Sequence, residues 1–473
     1  MKMSVKRILL LIVVAISALG LTLSAQNQTS LKFEPLDLFP APERPAGQLD
    51  AIEMRCDPID TVRIAFIGIG GRGYAAVKRY TFLEGVEIKV LCDLEAVSTE
   101  KAQKLLKRKG LPAADIYNGA EDYKTICERD DIDLVYIATN WKMHTPIAVY
   151  AMEHGKHVAT EVPAAITIDE CWQLVNTVER TRKHCMMLEN CNYDFFEMAT
   201  LNMAQQGLFG EIVHGEGAYI HDLRSLNFTE DTKPGSGDHA YYQMWRLAQN
   251  EKRNGNLYPT HGLGPICHIM NIHRGDRMTQ LVSMSSKQAG MTAYAKEKYG
   301  EDSDYAKREY KNGDMNTTLV QTENGKTIMI QHDVTSPRPY SRIHMISGTK
   351  GFAQKWPQQG LAFDPHAHHY VSKRKMKRLL KKYEHPIITE VGKKAKRVGG
   401  HGGMDFTMDY RLIYCLHHGL PLDQDVYDAA EWSAIAELSE KSVENNNAPI
   451  KIPDFTRGAY KKVKTVTYFT EEK

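Results

Sequence analysis

"RIAFIGIGGRGYAAVKRY", residues 63–80, decides the fold. An apolar run, Val62–Ile69, predicts a strand, and the amphipathic stretch after it predicts a helix. Between them Gly68, Gly70 and Gly73 fit G-x-G-x-x-G, with Gly71 and Arg72 inside the turn. Asp93 follows Gly73 by about 20 residues and ends the next apolar run. Glycines let backbone N–H groups approach a pyrophosphate at a helix N-terminus. A carboxylate at Asp93 accepts hydrogen bonds from an adenosine ribose and repels a 2′-phosphate, which selects NAD over NADP. A purely structural turn requires neither the flanking strand and helix nor the spaced acid.

Further strands are expected at Val86–Cys92, Leu134–Thr139, His157–Thr160 and Met186–Leu188, with helices at Glu95–Lys109 and Thr145–His154. Thr167 and Glu170 form a capping box for a helix reaching about Lys183. Continuous apolar strands alternating with helices predict a parallel sheet covered on both faces, here a doubly wound Rossmann domain over 61–192. Ligands bind outside the carboxyl ends of such strands. The "NWKMHTP" loop with Asn140, Trp141 and His144 should therefore face the nucleotide, as should "TEVPAA" (160–165) and "LENCNY" (188–193).

Over 193–473 the pattern changes. A helix is expected at Phe195–Gln206 and strands at Glu211–Ile220, Leu319–Glu323, Lys326–His332 and Ile343–Ser347. Asn324-Gly325 signals a two-residue hairpin, and Gly348 and Gly351 mark another turn. The fold class is therefore α/β: an N-terminal Rossmann domain plus a C-terminal α+β domain with a mostly antiparallel open sheet, the site lying between them. The exposed face of that sheet permits a homo-oligomer.

The 473 residues carry a net charge of +2, so nothing in the overall balance draws the chain to nucleic acid. The basic runs "SKRKMKRLLKK" (372–382) and "GKKAKR" (392–397) lack interleaved aromatics and predict solvated faces. "HAHH" (366–369) has the ligand type but not the context of a metal site, and no metal is expected. The eight cysteines show no framework spacing. Lys2, Lys6 and Arg7, the apolar run Ile8–Leu23 and the small pair Ser24-Ala25 predict a signal peptide over 1–25, cleaved near Ala25. Export to the periplasm or medium follows, with no membrane span after cleavage. Residues 26–60, with five prolines, predict an irregular leader arm.

These residues resemble the Gfo/Idh/MocA family of NAD(P)-dependent sugar oxidoreductases. That family's usual Glu-Lys-Pro at the fifth strand is here Glu161-Val162-Pro163, and valine carries no proton. From about Val62 to Tyr460 the chain resembles one branch, glycoside hydrolase family 109, whose members include NAD-dependent α-N-acetylgalactosaminidases. The segments that carry the likeness are "GIGGRG", "ATNWKMHTPIAVYAMEHGKHVATEVPAA", "YPTHGLGP", "SPRPYSR", "HGGMDFTMDYRLI", "DVYDAAEWSAIAELSEKSV" and "PDFTRG". The resemblance implies NAD against Gly70–Gly73, Asp93, Trp141–His144, Glu161, Val162 and Asn190. It implies a glycan substrate near Tyr219, Arg246, Tyr258–His261 and Tyr340.

The resemblance also implies a redox-neutral cycle. Sugar C3 is oxidised, the group at C1 is eliminated, water adds, and the hydride returns. Such a cycle suits an exported protein without a cofactor pool and needs no pair of catalytic carboxylates. His261, an imidazole able to act as acid or base, and the phenols Tyr258 and Tyr340 are the expected catalytic groups. Gly262 and Gly264 are expected to let the backbone approach a ligand. Arg246 is expected to hold a hydroxyl or acetamide oxygen, with a surface ion pair as its alternative. The competing expectation for the whole chain is an exported sugar oxidoreductase with tightly held nucleotide.

Overall fold

The computed structural model describes residues 34–229 and 241–471. The expected signal peptide lies outside the described residues. Among them, no helix is long and apolar enough to cross a membrane.

The first sheet holds β1 (Val62–Ile67), β2 (Val86–Cys92), β3 (Asp115–Tyr117), β4 (Leu134–Ile137), β5 (His157–Thr160) and β6 (Cys185–Met187). All pairs are parallel, in the order β3-β2-β1-β4-β5-β6. The order reverses between β1 and β4, which opens a crevice at their carboxyl ends. Strands β4, β5 and β6 are buried at every residue, as their unbroken apolar runs require. Around them lie α1 (Gly71–Tyr80), α2 (Ala96–Arg108), α3 (Trp141–Glu153) and α4 (Ile168–Thr181). The Thr167 hydroxyl accepts from the Glu170 N–H at 3.2 Å, while the Glu170 carboxylate accepts from the Ile166 N–H at 2.7 Å.

Two expectations change here. Strand β3 was not expected, because its three residues are half or fully exposed at the sheet edge and present no apolar run. "NWKMHTP" is not a loop: Trp141–His144 form the first turn of α3, with Pro146 inside the helix. Hydrogen bonds from the Thr145 hydroxyl to the Ala164 carbonyl and from the His144 ring to the Pro163 carbonyl tie these turns to the sheet. Tertiary contacts thus override the break that Pro146 suggests.

The second sheet contains β7 (Ile212–Ile220), β8 (Met278–Ser285), β9 (Asn316–Thr322), β10 (Thr327–Asp333), β11 (Met345–Gly348), β12 (Gly351–Gln354), β13 (Gly360–Phe363) and β14 (Ile450–Lys451). Its order is β13-β12-β11-β7-β10-β9-β8-β14, and only β7 with β10 is parallel. The β9–β10 loop runs Glu323–Lys326, with Gly325 alone left-handed at φ 80°. It is therefore longer than the two-residue turn expected from Asn324-Gly325. Ile343 and His344 have φ of 57° and 47°, so that strand begins at Met345. The C-terminal half also holds α5 (Phe195–Gln205), α6 (Trp245–Lys252), α7 (Thr260–Met270), α8 (Lys373–Lys382), α9 (Pro386–Val398), α10 (Met404–His417) and α11 (Val426–Glu444), of which α7 packs on β7 and β10 and α11 on β8, covering part of one face. Val213, Met284 and Leu319 are exposed on the strands themselves.

The leader arm is irregular but anchored. Leu36 bridges Ile450, Arg44 binds the buried Glu179 at 3.0 Å, and the Ala51 N–H donates to the Tyr427 hydroxyl at 2.9 Å. Helix α8 buries none of its residues, His366–His369 are exposed, and seven of the eight unpaired cysteines are buried.

Candidate active site

The glycine loop divides into two kinds of position. A Cβ on Gly73 would stand 1.8 Å from the Gly68 carbonyl oxygen, and one on Gly68 would stand 2.6 Å from that of Ala138. These two glycines close the turn. A Cβ on Gly70 or Gly71 meets nothing within 4 Å, so their open sides face the crevice. Helix α1 starts there with no side-chain cap and no acid in its first turn, leaving its N–H groups for a ligand. The Asp93 carboxylate accepts from the Ile69 N–H at 2.5 Å and the Glu95 N–H at 2.8 Å. Burial pushes its pKa up, and those two N–H groups pull it back. Donors at a helix start and an acid at the end of β2 fit a dinucleotide: the donors meet its pyrophosphate and the acid its ribose.

Arg72 lies at the centre of a brace. It donates to Glu161 at 2.6 Å and to Asp405 at 2.8 Å. The Tyr136 hydroxyl donates to the same Glu161 oxygen at 3.1 Å, and the Asn190 amide donates to Asp405 at 2.5 Å. His401 lies 2.9 Å from Asp405, and Arg79 binds Asp409 at 2.6 Å. Burial opposes the charge of Asp405, yet Arg72, His401 and Arg79 hold its carboxyl far below the usual range. The carboxyl of Asp409 is pushed up to about 6 by burial despite Arg79. Helix α10 of the C-terminal half is thereby pinned to the nucleotide loop. Nearby, Val162 is buried, Asn140 is the exposed N-cap of α3, and His144 has both ring nitrogens on the carbonyls of Pro163 and Thr139. His144 supports the pocket wall.

Trp141 joins this edge to the second group of predicted residues. Its ring stacks on Tyr258 at 5.7 Å and meets Trp245 edge-on at 5.0 Å. The Arg246 guanidinium lies over Tyr258 (4.5 Å), Trp141 (5.0 Å), Tyr241 (5.0 Å) and Tyr219 (5.8 Å). It is 5% exposed, donates from Nη1 to the Tyr241 hydroxyl at 2.6 Å, and has no partner for Nη2 among the described residues. Arg246 is buried and meets no carboxylate among the described residues, which disfavours the surface ion pair. A caged cation with an unused donor suits a neutral oxygen of a substrate.

His261 projects from the first turn of α7, and its Nδ1 lies 2.7 and 2.8 Å from the two oxygens of Glu189. Glu189 is fully buried. Burial raises its pKa, and the imidazole, together with Thr260 and the Cys191 N–H, more than offsets this. The Cys191 thiol lies within 4.8 Å of both ligand atoms, but burial keeps it protonated, and the imidazole–carboxylate bond engages the other two groups. Gly262 and Gly264 do not face a ligand. A Cβ on Gly262 would stand 2.2 Å from the Ala218 nitrogen, and one on Gly264 would stand 2.7 Å from the Asn192 side-chain oxygen. The glycines press α7 onto β7 and the β6 turn, which sets the position of His261.

Tyr219, near the end of β7, meets Tyr258 (4.6 Å), His261 (5.4 Å) and Tyr340 (6.5 Å) by ring centroids. Its hydroxyl lies 3.0 Å from Nδ1 of His221. Tyr340 is 38% exposed at the rim, whereas Tyr219 and Tyr258 are buried. The sequence reading did not single out Glu189, His221, Asp405 or Arg342. Glu189 lies in "LENCNY" and Asp405 in "HGGMD", segments already noted, but their roles depend on partners distant in the chain.

Comparison with known proteins assigns both halves of the chain to known families. Residues 62–189 match the model of the oxidoreductase family with an NAD-binding Rossmann fold, and residues 193–462 match the glycosyl hydrolase 109 C-terminal domain. An alpha-N-acetylgalactosaminidase of Bacteroides fragilis is 57% identical over 416 residues, 88% of this chain and 97% of that one. A glycosyl hydrolase family 109 protein of Bacteroides thetaiotaomicron is 50% identical over 473 residues, 97% and 98% of the two chains. A solved levoglucosan dehydrogenase in complex with NADH and L-sorbose shares the fold at TM-score 0.62 and 17% identity, covering 84% of this chain and 100% of its own. A Lactobacillus casei myo-inositol dehydrogenase does so at 0.55 and 18%, covering 83% and 97%. A Rossmann domain for NAD thus carries a glycosidase half, and the chain belongs to glycosyl hydrolase family 109.

Proposed function

We propose that the protein is exported and hydrolyses terminal α-linked N-acetylgalactosaminides without net redox change. The observation that carries this reading is the contact of Trp141 with Tyr258 and Arg246, which joins the nucleotide edge to the His261–Glu189 pair in one cleft. Bound NAD supplies a reversible hydride acceptor, and the chain supplies the proton transfers. The Tyr219 hydroxyl, coupled to His221, passes the proton of the sugar C3 hydroxyl. The C3 ketone acidifies C2–H. His261, with Nδ1 engaged by Glu189, takes that proton at Nε2 and later returns it. Arg246 holds the acetamide oxygen with its unused Nη2.

Two features support this over simpler chemistry. Among the described residues, the carboxylates at this edge, Glu161, Glu189 and Asp405, are each engaged by Arg72 or His261, so none of these three is left for a conventional acid–nucleophile pair. Val162, buried beside Glu161, offers no proton carrier for a plain sugar dehydrogenase.

The purified mature protein, without added cofactor, should release nitrophenol from nitrophenyl α-N-acetylgalactosaminide. In D2O, the released sugar should carry deuterium at C2. Full retention of C2 protium rejects the elimination step. Fractionation of the producing cells tests export, and accumulation in the cytoplasm rejects it.

A further inference from the structure

Tyr340 and the charges behind it suggest which group handles the aglycone. Arg342 donates from Nη1 to the Tyr340 hydroxyl oxygen at 3.1 Å. Its other terminal nitrogen donates to Asp194 at 3.0 Å and Glu197 at 2.7 Å. Lys355 binds the same two acids at 2.6 and 2.8 Å, and the guanidinium lies 4.6 Å over the Trp356 ring. The side chain of Arg342 is 4% exposed, and the buried cluster of two cations and two carboxylates fixes its guanidinium against one phenol.

Three consequences follow. The bond from Arg342 occupies a lone pair of the phenol oxygen, so the phenolic hydrogen is directed elsewhere. Burial pushes the Tyr340 pKa up, and the Arg342 cation opposes this by favouring the phenolate left when that hydrogen departs. Third, Tyr340 is the exposed member of the aromatic wall, while Tyr219, Tyr258 and Arg246 are buried. A sugar held by the buried groups must point its aglycone toward the rim.

We propose that Tyr340 is the acid that protonates the departing aglycone oxygen and that Arg342 is its positioning residue. This rests on the glycosidase reading above. As the C2–H bond breaks, its electron pair forms C1=C2. The C1–O pair leaves with the aglycone oxygen, and that oxygen takes the phenolic proton. Arg342 holds the resulting phenolate. Water then adds at C1 and returns a proton to Tyr340, while C2 regains its proton from His261.

Leaving-group dependence tests the assignment. Nitrophenolate departs with little need of a proton, whereas an alkoxide needs one. The wild-type protein is first assayed on nitrophenyl α-N-acetylgalactosaminide; absence of turnover there rejects the glycosidase reading itself. Given turnover, Tyr340→Phe should lose about 10²–10⁴-fold in kcat/KM on the methyl glycoside. Its loss on the nitrophenyl glycoside should be at least about ten times smaller. Arg342→Lys, which keeps the positive charge in the cluster, should shift the ratio of the two substrates in the same direction by a smaller factor. Equal losses on both substrates in Tyr340→Phe overturn the proposal. So does an unchanged ratio in Arg342→Lys whose circular dichroism matches wild type.

Discussion

The two carboxylate oxygens of Glu189 lie 2.7 and 2.8 Å from Nδ1 of His261, and Glu189 is fully buried while His261 is only partly so. A buried carboxylate that meets one ring nitrogen fixes which nitrogen is left for chemistry. Nε2 is thereby held on the open side of the ring. Glu189→Gln should leave the fold intact and lower kcat on nitrophenyl α-N-acetylgalactosaminide by about 10²–10⁴-fold. Glu189→Asp should recover part of this. Wild-type kcat in a folded Glu189→Gln protein would remove His261 from the proton path.

The nucleotide loop gives a paired prediction. Gly71→Ala adds a methyl group to open space, whereas Gly73→Ala drives one into the Gly68 carbonyl. Gly71→Ala should therefore keep the wild-type Tm but retain less NAD after extensive dialysis, measured by mass analysis of nucleotide released on denaturation. Gly73→Ala should lower Tm by several degrees, as for a backbone clash of 1–3 kcal/mol, about what overpacking a rigid site costs. Equal effects of the two substitutions on Tm would contradict the division of the loop into closing and ligand-facing glycines.

The glycine loop was legible because its requirements are local: a tight turn, an open helix start and an acid at a fixed offset. The strand runs were legible because buried parallel strands are apolar throughout. Helix boundaries were less so, since Pro146 in α3 and Gly262, Gly264 and Pro265 in α7 obscure the helical pattern, and contacts to β7 and the Pro163 carbonyl restore it. The site's partners were hidden for a different reason. Glu189 and His261 are 72 residues apart, and Arg72 and Asp405 are 333 apart, so their pairing exists only once the two halves pack. Arg342 lies two residues from Tyr340, but its role is set by Asp194 and Glu197 on another element.

Stability should decline on the alkaline side through His273. This ring is 1% exposed, with Nε2 at 2.5 Å from Glu431 and Nδ1 at 3.5 Å from Asp428. Burial opposes its charge, but the two carboxylates win and raise its pKa to about 10. A histidine whose folded pKa lies above its unfolded value stabilises fully below about pH 6.5 and loses that contribution as pH rises toward the folded value. The Tm of the wild-type protein should fall between about pH 6.5 and 10 more steeply than that of His273→Gln. Parallel Tm curves for the two proteins would show that the ring is not charged in the fold.

Arg246 should control recognition of the acetamide rather than stability of the fold. Its guanidinium lies over Tyr258, Trp141 and Tyr241, and Nη2 is left without a partner among the described residues. Lysine keeps the charge but not the planar fork or the stacking. One lost charge-assisted hydrogen bond costs about 1.5–3 kcal/mol, so Arg246→Lys should reduce kcat/KM for the N-acetylated substrate by about 10–100-fold. The loss should be smaller on the matching galactoside, which lacks the acetamide, when each variant rate is compared with wild type on the same substrate. If both substrates lose equally, Arg246 acts on something the two sugars share, and its unused donor is then assigned to a hydroxyl.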